Sequence, residues 1–222
     1  MNIFEILGPV MVGPSSSHTA GAVRIGSMTR KILGEAPVQA EILLHGSFGA
    51  TGSGHGTDRA LLAGLLGMEP DDSRIPDSRT EAGKAGLSYR FVTGNLRDAH
   101  PNTALLTVRG ADGRSVRVQA SSLGGGRIMV NQIDGIRVDF TGEKPTLIIQ
   151  NEDKPGVLAA ITYTLSAQDV NIATLQLYRD GKGGSAFIIA ETDSDLDEEV
   201  LCELREKKGV LKVIRISSEE ER

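Results

Sequence analysis

The 222 residues are 39% hydrophobic, 24% charged and only 4% aromatic, with no Trp; a folded core filled by Val, Ile, Leu and Ala is expected, and disorder throughout is excluded. The length exceeds the ~100–150 residues of a common domain, so two folding units are expected. A net charge of −5 argues against a surface built to neutralise phosphate backbones, and nucleic acid is not an expected partner.

Met1–Val12 is apolar, but it contains Pro9, lacks a basic leader and is far shorter than the ~20 residues of a spanning helix. No membrane association is expected, and the chain reads as cytoplasmic. A helix is then expected from a cap at Ser17 or His18 to Leu33, with Ala22, Ile25, Met28 and Ile32 on one face and Gly34 as its stop. Val38, Ala40, Ile42 and Leu44 alternate with Gln39, Glu41 and Leu43, the pattern of a half-buried strand. After a glycine-rich loop, Thr57 is expected to cap a helix carrying Leu61, Leu62, Leu65 and Leu66 and ending at Gly67. Strands over Ala104–Val108 and Val116–Ala120 flank the turn Ala111-Asp112-Gly113-Arg114, and two more are expected near Ile128–Ile133 and Ile136–Phe140. The class of this first part is α+β.

Composition changes near residue 142. Of the 27 glycines, 22 precede residue 143, and the formal charge is +1 over 1–142 against −6 over 143–222. A linker is expected at Thr141-Gly142-Glu143-Lys144-Pro145, giving domains 1–142 and 143–222. In the second, a strand at Leu147-Ile148-Ile149 leads to a helix with Pro155 as its first residue and Val157, Leu158, Ile161 and Leu165 on one face. Strands over Ile172–Tyr178 and Ser185–Glu191 follow, then a helix opened by an Asp195/Glu198 capping box, and a last strand over Val210–Ile216. The order is βαββαβ, a ferredoxin-like arrangement.

Chemistry concentrates in two stretches at helix starts, Gly13-Pro14-Ser15-Ser16-Ser17-His18-Thr19-Ala20-Gly21 and His45 to Asp58. Helix starts offer free N–H groups and the positive end of the dipole, which suits a small anion such as a carboxylate. A phosphate-binding P-loop fails because His55 and Gly56 stand where its Lys would be, and no G-x-S-x-G elbow is present. The spacing of His45, His55 and Asp58 matches no familiar zinc pattern, and no metal site is assigned. His55, between two glycines, is left approachable, with Asp58 or Thr57 able to orient one ring nitrogen. The plainer alternative is a serine cap and glycine turns that serve backbone geometry alone.

The run Asn151-Glu152-Asp153-Lys154-Pro155-Gly156-Val157-Leu158, with Val170-Asn171-Ile172, resembles the ACT domain, a regulatory module that binds amino acids between paired copies. The resemblance implies ligand contacts from Asn151, Asp153, Gly156, Asn171 and Ile172 and self-association through this unit; dimerisation without a ligand is the alternative. The motifs Gly13 to Thr19 and Gly54-His55-Gly56-Thr57-Asp58, followed by an ACT-like tail, resemble the beta chain of iron–sulfur L-serine dehydratase. That resemblance implies that domain 1–142 has the fold of the allosteric-substrate-binding domain of some phosphoglycerate dehydrogenases. It further implies conversion of L-serine to pyruvate and ammonia together with an alpha chain that ligates a [4Fe–4S] cluster. Ser15, Ser16, Ser17, His18, Thr19, Gly56 and Thr57 would bind the amino acid, and His55, aided by Asp58, would be the base. Cysteine content agrees with this division: a cubane needs at least three thiolates, and the chain has Cys202 alone, expected to be buried on the last helix. A non-catalytic serine-sensing module is the competing reading.

Overall fold

The computed structural model describes residues 10–51 (Thr51 by its backbone only), 54 and 56–217. It divides into two compact units between Gly135 and Ile136, within the tight turn Asp134-Gly135, where both residues have positive φ. The expected linker at 141–145 lies further on, between two strands of the second unit. Among the described residues, no helix is long and apolar enough to cross a membrane.

The first unit opens with a wide turn, Ser16–Ala20, that runs directly into α1 (Gly21–Leu33). Ser15, in extended conformation, is the cap, where Ser17 or His18 had been expected. Three successive serines are equivalent to a propensity argument; the choice falls on the one whose hydroxyl reaches the His18 N–H, at 3.2 Å. Gly34, at φ 93°, ends α1 as expected, its N–H returning to the Arg30 carbonyl.

Five strands follow in the first unit: β1 (Pro37–Leu44), β2 (Ser88–Thr93), β3 (Thr103–Gly110), β4 (Ser115–Gly124) and β5 (Arg127–Ile133). Their spatial order is β2-β1-β3-β4-β5, with β1 and β2 parallel and the other pairs antiparallel. Between β1 and β2 lie α2 (Gly46–Thr51), α3 (Thr57–Leu65), a single turn at Ile75–Asp77 and α4 (Ser78–Lys84). α2 falls in the stretch expected to be a glycine-rich loop, and the sequence pattern marks neither α4 nor β2. α2 and α4 are six and seven residues long and glycine-containing, and β2 buries neither face fully, so none carries a clear period.

α1 packs on β3, β4 and β5, and α3 packs on α1. The two helices meet backbone to backbone at Gly26 and Gly64: a Cβ at 64 would stand 2.0 Å from the Val23 carbonyl oxygen, and one at 26 would stand 2.3 Å from that of Leu61. Buried Ile25, Ile32, Ile42, Leu61, Leu62, Leu106 and Val118 fill the core around this contact. α3 starts at Thr57 but is capped by Gly56, at φ 73°, rather than by Thr57 as expected. Thr57 lies inside the first turn, where its side chain no longer reaches back over the end.

The second unit begins with β6 (Ile136–Phe140) and continues as β7 (Thr146–Glu152), α5 (Val157–Ala167), β8 (Ile172–Arg179), β9 (Ser185–Thr192), α6 (Glu198–Arg205) and β10 (Val210–Ile216). From β7 onward this is the expected βαββαβ order, forming an antiparallel sheet β10-β7-β9-β8. Leu147, Ile149, Ile161, Leu165, Ile188, Leu201 and Leu204 make its core. Both units are thus α+β, the second with the ACT arrangement.

Three local expectations are corrected here. Gly156, at φ 91°, caps α5, so Pro155 stands before the helix and not at its first position. Asp197 is the N-cap of α6, and the Glu198 carboxylate pairs with Arg205, so the Asp195/Glu198 capping box does not form. Cys202 is exposed, because the helical period turns Val200, Leu201 and Leu204 to the core and leaves position 202 outside.

Candidate functional site

The two chemically rich stretches of the first unit meet at His18. Its Nε2 lies 3.2 Å from Ser47 Oγ, and its Nδ1 lies 3.4 Å from Ser15 Oγ. The ring rests edge-on against fully buried Phe48, with centroids 5.3 Å apart. Ser47 is held by its own backbone: its N–H donates to Pro101 O at 2.8 Å and the His45 N–H to Thr103 O at 3.0 Å. The close fit requires Gly46, where a Cβ would meet Pro101 O at 2.6 Å. The Ser15–Thr19 segment, 29 residues away in sequence, is thereby linked to the start of α2.

The turn carrying Ser16, Ser17, His18 and Thr19 is wider than an α-helical turn, its Gly21 N–H bonding the Ser16 carbonyl five residues back. Such turns rotate side chains away from the regular helical face and recur at functional sites. The first N–H groups of a helix have no carbonyl behind them, so Ser16 and Ser17 begin a donor-rich end. Thr19 Oγ1 and, on β4, Ser122 Oγ are buried with no partner among the described residues. A Cβ at Gly21 would stand 2.1 Å from that Ser122 oxygen, which explains the glycine there. Arg24 Nη1 donates to Gly126 O at 3.0 Å and holds the Gly124-Gly125-Gly126 turn near this end of α1.

The second stretch leads to α3. Gly56 and Thr57 open it, and Asp58 pairs through Oδ2 with Arg79 of α4; among the described residues, buried Thr57 Oγ1 and Asp58 Oδ1 have no partner. The Asp58 carboxylate raises Arg79 above its ordinary value, so the guanidinium stays charged. His55 lies outside the described residues. His45 Nδ1 accepts from Leu96 N–H at 3.1 Å and His100 Nδ1 from Asn102 N–H at 3.1 Å, which gives both rings local structural partners.

In the second unit, Asn151 donates through Nδ2 to Glu152 O at 2.8 Å, and its buried Oδ1 has no partner among the described residues. Asp153 Oδ2 accepts from the Gly183 N–H at 3.0 Å and from Arg179 at 3.1 Å, which hold its carboxyl below the usual range. Gly156 follows at the cap of α5. Asn171 instead pairs with Asp193 and, with Ile172, stands at the opposite end of β8 from Arg179. Eight extended residues separate these ends by roughly 25 Å, so one copy of the chain does not bring Asn151, Asp153 and Gly156 together with Asn171 and Ile172.

The donor set does not fit an iron–sulfur cluster. The sequence holds a single cysteine, exposed on α6 with Arg205 Nη1 at 3.7 Å, and among the described residues no three His, Cys, Asp or Glu side chains are grouped to hold a metal. Sequence patterns assign no role to Ser47, Arg79 or Ser122. All three act across long sequence separations, and no local period announces them.

Two family descriptions match: serine dehydratase beta chain over residues 2–89 and ACT domain over residues 146–209. The L-serine dehydratase beta chain of Peptoniphilus asaccharolyticus is 39% identical over 216 residues, covering 97% of this chain and 95% of that one. The probable L-serine dehydratase beta chain of Bacillus subtilis is 34% identical over 216 residues, covering 97% and 98%. The L-serine dehydratase of Mycobacterium tuberculosis is 31% identical over 160 residues, 61% of this chain but only 34% of that one. The likeness to the two beta chains runs through both units, and on it the chain belongs to the serine dehydratase beta-chain family.

Proposed function

We propose that this chain is the beta subunit of a two-chain L-serine ammonia-lyase, that it binds L-serine, and that it supplies the base that removes the Cα proton. The observation that carries the reading is the joining of the serine-rich helix start to the second motif stretch through His18 and Ser47, in a segment matched by the beta-chain family. Ser15, Ser16, Ser17, His18 and Thr19 would hold the substrate carboxylate through hydroxyls and helix-end N–H groups. Gly56 and Thr57 line the second wall. His55 takes the proton as neutral imidazole, and Asp58 favours its charged form.

Loss of water from serine needs a base at Cα and an acceptor for the departing hydroxide. The residues of this chain account for the first need. The [4Fe–4S] cluster expected in this chemistry has no ligand set here, so its thiolates belong to a separate alpha chain. The Mycobacterium tuberculosis relative supports that division: the matching segment is 34% of a longer protein named L-serine dehydratase. Elimination leaves aminoacrylate, which becomes the imine and hydrolyses to pyruvate and ammonia.

The separation of the ACT contacts supports self-association, with Asn151, Asp153 and Gly156 of one copy joined by Asn171 and Ile172 of a second around an amino acid. The test is anaerobic co-expression with the alpha chain, with iron analysis and a pyruvate assay on each chain and on the mixture. Only the mixture should turn over serine, and His55→Ala should abolish turnover while leaving assembly intact. Brisk deamination by this chain alone after chelation would overturn the proposal, and serine binding without turnover by the mixture would make it a sensor.

A further inference from the structure

We propose that Arg79 is a positioning residue of the dehydratase site, acting through Asp58 to hold the start of α3. The inference rests on the functional reading above, which places Gly56 and Thr57 against the substrate.

The start of α3 lacks the usual fixings. Its cap is a glycine with no side chain to offer, and among the described residues no side-chain cap bond forms and buried Thr57 Oγ1 has no partner. What ties this end down is the Asp58 carboxylate in the first turn. Its side chain is only 8% exposed, and the partner on its Oδ2 is Arg79, 21 residues further on and 56% exposed. A buried carboxylate is costly unless it is paired, and the guanidinium that reaches Asp58 from the surface is the partner that holds it in place. The helix dipole adds to that preference at a first-turn position.

Arg79 is itself firmly mounted, at the second position of α4, beside buried Ser78 and after the Ile75–Asp77 turn, both of which pack on α3. Removal of its charge leaves the Asp58 carboxylate without that partner, and it moves toward water. That movement displaces Thr57, which is bonded directly to Asp58, and Gly56 one residue further back. The first helical hydrogen bond of α3, from Ala60 N–H to Gly56 O at 2.9 Å, reports on that displacement.

The test uses Arg79→Met, Arg79→Lys, Asp58→Asn and the double variant Arg79→Met/Asp58→Asn, each assembled with the alpha chain. Arg79→Met should lower kcat/KM for serine on the order of 10²-fold, the scale of a small misplacement of reacting groups. Arg79→Lys should recover most of the loss. In the Asp58→Asn background, Arg79→Met should cost less than about twofold, since its route of action is already gone. Hydrogen exchange on the full chain gives a readout that needs no activity: the Ala60 amide should exchange at least about tenfold faster in Arg79→Met, while amides in α1 stay unchanged. Unchanged Ala60 exchange, or a full Arg79→Met effect in the Asp58→Asn background, would overturn the inference. A wild-type pair that makes no pyruvate while Ala60 exchange responds as described would instead overturn the functional reading and leave the clamp standing.

Discussion

A neutral imidazole has one donor and one acceptor nitrogen, and at His18 both face hydroxyls that can take either role. The ring is therefore a strut between Ser15 and Ser47, with Phe48 fixing its plane. Ser47→Ala removes the hydrogen bond to His18, of a kind worth about 0.5–1.5 kcal/mol. In the assembled enzyme KM for serine should rise about two- to tenfold with kcat little changed, as steady-state kinetics would show. A second residue-scale consequence concerns Asp153, whose carboxyl is held low first by the Gly183 N–H and then by Arg179. Its folded value lies below its unfolded one, so its stabilising contribution is complete above the ordinary 3.8 and is lost as pH falls through the lower folded value. Carboxyl NMR titration should place its midpoint below 3.8, and the advantage of the wild type over Asp153→Asn in melting temperature should narrow as pH drops below about 4. Single residues were legible where the chain itself marked them: the serine run and the Asn151–Gly156 motif stand out in any reading. Ser47 and Arg79 did not, because their importance comes from partners 29 and 21 residues away.

At the scale of elements, the α1–α3 contact sets the geometry of the first unit. A Gly64→Ala exchange would gain ~1 kcal/mol of helix propensity, but its Cβ would meet the Val23 carbonyl oxygen at 2.0 Å and the Ser27 nitrogen at 2.7 Å. Backbone atoms have no rotamer to yield, so overpacking at or above the usual 1–3 kcal/mol prevails. Gly64→Ala should lower stability by about 2 kcal/mol or more in urea unfolding. Gly83→Ala on α4 is the control: nothing lies within 4 Å of its Cβ position, and it should gain about 0.5–1 kcal/mol. The same contrast explains which elements could be read from sequence. The strands of the second unit are short runs rich in Ile, Leu and Val bounded by turn residues, and its helices keep an apolar face, so β7 to β10 are legible in order. In the first unit the turn at Ser16–Ala20 and the short helices α2 and α4 depend on tertiary contacts, such as Ser47 N–H to Pro101 O, that no window of sequence contains.

At the scale of the molecule, chemistry and charge are distributed unevenly. Every serine contact proposed here, from Ser15 to Asp58, lies in the first unit, whereas 143–222 carries −6 of the −5 net charge against +1 for 1–142. The cores are also separate in sequence, with Leu147 to Val213 supplying the second. Deletion of 143–222 should therefore leave a cooperatively folding fragment that still forms pyruvate with the alpha chain. Light scattering should show it losing self-association, because the ACT unit is removed. Its net charge near zero favours precipitation, so the comparison belongs at a pH where the fragment is clearly charged. Retention of both turnover and self-association would mean that the first unit carries the contact between copies. A folded fragment that binds the alpha chain without turning over serine would place part of the catalytic requirement in the second unit, against the division drawn from the position of the motifs.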